Sequence, residues 1–302
     1  MPSDGLQLLR FMKPAPFKYH RVSSLPEATS LLASLDNARI LAGGQSLMPM
    51  MNLRYVMVDH LIDLNEALDL AGIRIDENRA HIGAMTRQRD ILSSPELVAR
   101  SPIFAEALQQ VGHIQTRNRG TLGGSLCHLD PAAELAGLMT LHDATLTLSK
   151  QNAERRVSMD EFAMGYMTPC TEPDEILTSI SFEPWPAGHG FDFREFSRRH
   201  GDFAIVGVAT LLTVDADGRI DRIACVLIGT DYKPVRLNEV ETNLRGKKPS
   251  EDIFRAAGET ARNIDMLEDA LIPESYRKQL AAVLLRRSLQ SASEKAVRTR
   301  NV

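Results

Sequence analysis

The chain has 302 residues, 43% of them hydrophobic and 25% charged, a balance that excludes disorder and collagen-like architecture and leaves room for two domains of ~100–200 residues each. A formal net charge of −4 gives no basic excess to offset phosphates, so nucleic acid is not an expected partner. No run approaches the ~18 apolar residues of a membrane span, charge interrupts any secretory h-region in the N-terminal MPSDGLQLLRFMKP, and a cytoplasmic location is the expectation.

Taken in chain order, Ser24-Leu25-Pro26-Glu27 has the spacing of a capping box. Ala28, Leu31, Leu32 and Leu35 follow at helical period, which predicts a helix over 25–35. Arg39–Ala42 reads as a short strand running into Gly43-Gly44, and a second strand is expected near Val58–Leu64. Ala80–Ala84 reads as another. Ser94-Pro95-Glu96 starts a helix that Pro102 ends, and Ile103, Ala107, Leu108 and Val111 suggest a further helical piece. Arg117–Ser125 reads as a second glycine turn. Asp130 as cap and Pro131 at the first position open a helix running to about His142, and strands follow at 144–149 and 176–182. The Pro/Gly cluster Pro184–Gly190 sets a domain boundary. Beyond it, Phe203–Val214 and Ile220–Ile228 are β-rich runs joined by the turn Asp215-Ala216-Asp217-Gly218, and helices are expected over 250–263 and 273–292. The class is α+β.

Three cysteines, Cys127, Cys170 and Cys225, are too few and too scattered for a disulfide framework, a four-thiolate zinc site or a four-cysteine iron–sulfur cluster. Redox chemistry in this chain would use an organic cofactor or a partner's metals.

The double-glycine segments Gly43-Gly44-Gln45-Ser46 and Gly120-Thr121-Leu122-Gly123-Gly124-Ser125 are the sharpest features. A diphosphate needs converging backbone N–H groups at close approach, which glycine permits and a Cβ obstructs. Each segment alone reads more readily as a tight turn after a strand. Neither matches GxGxxG or GxxxxGK[ST], so a Rossmann domain and a P-loop NTPase are poor fits, and no GxSxG nucleophile elbow occurs.

Leu41–Pro49 with Asn52-Leu53-Arg54, then Ile82–Thr86, Arg117–Ser125, Asp130–Glu134 and Ser197–Val206 resemble, in order and over nearly the whole chain, the FAD-binding medium subunit of molybdenum hydroxylases. That family includes carbon monoxide, xanthine and N-heterocycle dehydrogenases. The resemblance implies a two-subdomain FAD-binding domain of the vanillyl-alcohol-oxidase (PCMH) type over 1–184, with subdomains of about 1–60 and 61–184. A C-terminal domain of antiparallel strands plus helices would fill 190–302.

It further implies that Leu41, Ala42, Gly43, Gly44, Gln45, Ser46, Leu47 and Met48 wrap the diphosphate and ribityl chain, with Thr121, Leu122, Gly123, Gly124 and Ser125 closing from the other subdomain. Glu134 would accept from a ribose or ribityl hydroxyl, Leu177 beside Ile176 would meet the isoalloxazine edge, and Arg194 would lie near the flavin pyrimidine. The plainer readings are a first-turn acid for Glu134, a buried strand residue for Leu177 and an exposed strand arginine for Arg194. Asp130 reads as a cap, Arg117 and Arg119 as loop supports or solvated charges, Arg198-Arg199 as a solvated strand end, and His128 as a polar contact and not a flavin tether. Gln45 stands where carbon monoxide dehydrogenases carry His. The cysteine-rich insertion of the benzoyl-coenzyme A reductase branch has no counterpart.

Neither a catalytic residue nor a metal ligand is assigned to this chain. The implied activity is electron transfer from two [2Fe-2S] clusters on a small partner subunit, through FAD here, to an external acceptor. A large molybdopterin subunit would hydroxylate a small or N-heteroaromatic substrate, in a dimer of heterotrimers. The alternatives are a self-sufficient FAD oxidoreductase of the same fold, against which stands the lack of a clustered substrate base, and a flavin-less binding subunit, against which stand the intact glycines.

Overall fold

The computed structural model describes residues 13–300, apart from the side chains of 299 and 300; the N-terminal stretch 1–12 read above and residues 301–302 lie outside them. The chain opens with β1 (Lys18–Arg21), α1 (Leu25–Ser34), β2 (Ala38–Leu41), α2 (Leu47–Asn52) and β3 (His60–Asp63). The strands form a parallel sheet in the order β1-β3-β2, with Ala38 opposite His60 and Leu41 opposite Asp63. Helix α1 starts where the sequence places it: Ser24 accepts from the Glu27 N–H. The Glu27 carboxylate reaches back to the Ser23 N–H at 2.9 Å, one residue before the capping-box position. Its Ala28 and Leu32 bury against Val22, Ile62 and Leu64. Helix α2 has no counterpart in the sequence reading, because Ser46 makes no side-chain cap bond and Pro49 sits inside it.

A second subdomain contains β4 (Ile73–Ile75), β5 (Ala80–Gly83), α3 (Gln88–Leu92), α4 (Pro95–Arg100), α5 (Ile103–Gln110), α6 (Ile114–Arg119), α7 (Leu122–His128) and α8 (Glu134–Leu141). It continues with β6 (Thr145–Lys150), β7 (Ala153–Ser158), α9 (Met159–Phe162), β8 (Ala163–Gly165), β9 (Thr168–Pro169) and β10 (Ile176–Phe182). Five of these strands make an antiparallel sheet, β4-β5-β10-β6-β7.

Two sequence expectations need correction here. Leu122–His128 is a helix and not a turn: Thr121 is its N-cap, accepting from the Gly124 N–H at 3.0 Å. Asp130 does not cap α8. Its carboxylate accepts from the Ala132 N–H at 2.9 Å in an Asx turn, and the helix begins at Glu134 behind Ala133.

The C-terminal part is an antiparallel sheet of β11 (Gly190–Phe196), β12 (Val206–Val214), β13 (Ile220–Ile228) and β14 (Val235–Arg236), in that order, followed by α10 (Asn238–Leu244), α11 (Glu251–Arg262) and α12 (Glu274–Arg300). Strand alternation gives this sheet two buried faces. Phe193, Ala209, Leu211, Ala224, Val226 and Ile228 join the core of the five-stranded subdomain, while Val208, Leu212, Ile223, Cys225 and Leu227 pack under α11 and α12. Gly137 on α8 makes the first contact close, since a Cβ there would lie 2.5 Å from Ile228 Cγ2. No helix among the described residues is long and apolar enough to cross a membrane.

Candidate functional site

The two glycine segments meet. Gly43 lies against the backbone of the second segment so closely that a Cβ would stand 2.8 Å from Gly120 Cα, and Gly124 faces Ala42 across 3.5 Å in the same sense. Gly123 packs on β5, where a Cβ would lie 2.8 Å from the Ala84 carbonyl oxygen. Gly44 has φ +74°, a conformation glycine adopts without strain, and it turns the chain from β2 into α2.

The clamp holding the segments together is Arg87, which sequence reasoning passed over. Its guanidinium donates to the Arg119 carbonyl and to Asn65 Oδ1. Asn65 in turn donates to the Ala42 carbonyl at 3.1 Å and is seated by its N–H on Asp63 at 2.8 Å. The Gln88 N–H donates to the Gly120 carbonyl at 2.9 Å. Burial, then the nearby Arg119 and Arg89 charges, lowers the Arg87 pKa against the opposing pull of Asp90 and Asp63.

The two segments differ in what they offer a ligand. In the second, four successive amides are already committed: Leu122 N–H donates to Thr86 O, Gly123 N–H to Ala84 O, Ser125 N–H to Thr121 O and Gly124 N–H to Thr121 Oγ1. In the first, the N–H groups of Gly43, Gly44, Gln45, Ser46 and Leu47 donate to no acceptor among the described residues. Five successive unpartnered donors in a half-enclosed loop beside the Arg87 guanidinium fit the diphosphate of a dinucleotide. The unpartnered amides run from Gly43 to Leu47, inside the segment Leu41–Met48, whose Met48 N–H is already spent on the Gly44 carbonyl at 3.2 Å. Thr121, Leu122 and Gly123 are buried beside it, and Gly124 and Ser125 are half-buried. This difference between the two segments was not visible in the glycine pattern.

The remaining expected residues are placed as follows. Leu177 is buried on β10, beside a bulge between Leu177 and Ser179. Its neighbour Thr178 accepts from the Ala84 N–H at 2.9 Å, and the Ala84 carbonyl takes the Gly123 amide, so this strand is tied directly to the second segment. Glu134 is half-buried at the start of α8, and burial, then the nearby Glu195 carboxylate, pushes its pKa up to about 8. Cys127 lies on α7 and is exposed to solvent. Arg194 is not gathered with these residues. It points to the α11–α12 side of its sheet, holds Asp192 in a two-pronged pair at 2.6 and 2.7 Å, and lines a separate cavity of about 570 Å³ with Phe254, Arg286 and Glu294. Its strand neighbour Glu195 takes the face toward the FAD-binding part. Arg199 is exposed and pairs with Asp202.

The family model described as the FAD binding domain in molybdopterin dehydrogenase matches residues 15–185. The CO dehydrogenase flavoprotein C-terminal domain matches residues 191–292. The chain is 36% identical over 287 residues to the 6-hydroxypseudooxynicotine dehydrogenase complex subunit alpha of Paenarthrobacter nicotinovorans, covering 94% of this chain and 97% of that protein. It superposes on carbon monoxide dehydrogenase from Hydrogenophaga pseudoflava with TM-score 0.90 and 34% identity, over 94% of this chain and 99% of the other. Quinoline 2-oxidoreductase from Pseudomonas putida 86 gives TM-score 0.90 and 32% identity, over 94% and 99%. Fold and site therefore define an FAD-dependent oxidoreductase subunit. The chain belongs to the FAD-binding medium-subunit family of the molybdenum hydroxylases.

Proposed function

We propose that FAD lies across the cleft with its diphosphate on the amides of Gly43–Leu47, held by Leu41–Met48 on one side and by Thr121–Ser125 on the other. The run of unpartnered donors in the first loop is the observation that carries this reading. Glu134 accepts from a sugar or ribityl hydroxyl, and Leu177 borders the isoalloxazine edge from β10. Arg194 drops out as a flavin contact in this reading, because its strand position faces the other way.

Bound FAD supplies an electron relay that accepts electrons singly and releases them singly or as a pair. The chain's own part is to hold that relay rigidly: Arg87 fixes the loop spacing, and the sheet wall keeps water from the ring edge. Among the described residues no group of three or more metal-ligating side chains occurs. The electron donors in this proposal are two [2Fe-2S] clusters of a small partner subunit. The substrate, small or N-heteroaromatic, is hydroxylated at molybdopterin on a large partner subunit. The relatives that support this are named as chains of dehydrogenase complexes. A cytoplasmic dimer of heterotrimers, and division of the chain into 1–184 and 190–302, complete the proposal.

The test is the visible spectrum and cofactor content of the purified full chain. One FAD per chain, retained through gel filtration and lost together with the fold, is expected. A chain that carries no FAD and takes up none when supplied would falsify the reading.

A further inference from the structure

Strand β11 alternates, and that alternation puts Glu195 where the flavin-side charge of the C-terminal sheet must be. Glu195 pairs with Gly207 in the ladder, where a Cβ would lie 2.6 Å from Ile228 Cγ1 and 3.5 Å from Glu195 Cβ; the glycine lets Ile228 and the Glu195 stem pack over it on the same face. One of its oxygens, Oε2, is shut off from solvent with no hydrogen-bond partner.

Glu134 approaches from the other domain. The Pro131 carbonyl accepts from the Gly229 N–H at 2.8 Å, and Gly137 rests on Ile228. These contacts set the start of α8 at the end of the sheet where β13 finishes, β12 begins and β11 finishes. The groups around the pair do not neutralise it. Asp130 adds a like charge to Glu134. His128 at the end of α7 is driven toward its neutral form by burial. Arg277 is committed to the Ile205 and Gly229 carbonyls, both at 2.6 Å, and to Asp269 at 2.7 Å. Arg194 is on the far face with Asp192, and the ladder partners beside Glu195 on β12 and β13 are the uncharged Gly207 and Ile228. Two half-buried carboxylates set near each other, with none of these cations turned to them, resist ionising together near neutral pH.

We propose that Glu195 is a further residue of the cofactor cleft, and that it holds one proton jointly with Glu134 across the two domains, a proton that FAD binding retains or draws in. The inference rests on the FAD placement above. Burial pushes Glu195 up to about 7 and Glu134 to about 8, in line with the geometry. A bound dianionic dinucleotide that displaces cleft water shifts both groups further toward the neutral form.

Calorimetric titration of the FAD-depleted full chain with FAD, at pH 6.5 and 8.5 and in two buffers of different ionisation enthalpy, tests this. Uptake approaching one proton is expected at pH 8.5, with Kd weakening roughly three- to tenfold from pH 6.5 to 8.5. Glu195→Gln is expected to bind FAD with most of the uptake and the pH dependence gone, while Glu195→Asp keeps both; the latter controls for a misfolded variant. FAD binding without proton uptake in the natural chain, or unchanged uptake in Glu195→Gln, overturns the pair and leaves the flavoprotein reading standing. No FAD binding at either pH overturns both.

Discussion

His142 shows what single-residue burial does in this fold. Its ring lies between Phe104 and Phe182, with centroids 5.6 and 4.6 Å away. Nδ1 is 2.9 Å from the Leu138 carbonyl, and Nε2 has no partner. Desolvation, outweighing that one hydrogen bond, lowers its pKa to about 4. The unfolded imidazole takes a proton near pH 6.5, so between ~6.5 and 4 the unfolded chain binds more protons than the folded one, and stability falls as pH falls. The loss attributable to this group is about 3 kcal/mol by pH 4. His142→Phe should narrow the gap between urea midpoints at pH 7 and pH 5; an unchanged gap would remove His142 as the cause. Gly43 carries a different constraint. A Cβ there collides with the Arg119 carbonyl and stands 2.8 Å from Gly120 Cα, so Gly43→Ala must part the two loops at about 1–3 kcal/mol. Measured by flavin fluorescence on release, FAD retention is expected to weaken by tenfold or more, whereas Gly165→Ala, with nothing within 4 Å of its Cβ position, should leave it unchanged.

At the scale of elements, the site depends on how short helices are tied to strands. Arg87 precedes α3 yet holds the loop after β2, through Asn65, and the end of α6, through the Arg119 carbonyl. Arg87→Met leaves those acceptors short of a donor, and about 1–3 kcal/mol should be lost. FAD should then leave at a lower temperature than the fold melts, so that two separate transitions are seen; coincident transitions would show that the clamp is not specific to the loops. Which elements were legible in the sequence follows from the range of their causes. Helix α1 was legible because its cap and apolar period are local. Helix α2 was hidden by its missing cap bond and internal proline, and α7 because a glycine pair in a first turn looks like a bend until Thr121 is seen capping it. For the candidate site, the meeting of the two glycine segments was legible, since close backbone approach leaves a residue-type signature, whereas Glu134 was marked only by the family resemblance. Arg87 was not legible, because only the pairing of distant segments shows which carbonyls its guanidinium ties together. Arg194 and Glu195 differ by one residue of strand register, which a period of two converts into opposite faces of the sheet.

At the scale of the molecule, the β11–β14 sheet belongs to two cores, and this ties cofactor binding to the C-terminal part. One face completes the apolar cluster that includes Phe104, Leu138 and Phe182; the other is covered by α11 and α12. Arg236 adds a polar tie, donating to the Thr140 and Leu141 carbonyls at 3.1 and 3.3 Å at the end of α8. Arg277 pins the start of β12 to the end of β13 beside the cleft. Two domains joined over so continuous an apolar surface should unfold as one cooperative unit. The full chain with FAD is therefore expected to give a single calorimetric transition. Gly137→Leu offers the sharper test. The added side chain has no room at Ile228 and must lift α8 from the sheet, displacing Glu134 at its head without touching either glycine loop. Faster FAD loss, dye binding to newly exposed apolar surface and a split melting transition are expected together. A Gly137→Leu chain that melts once, at the natural temperature, and keeps its FAD would show that the interdomain surface is not part of the cofactor's hold.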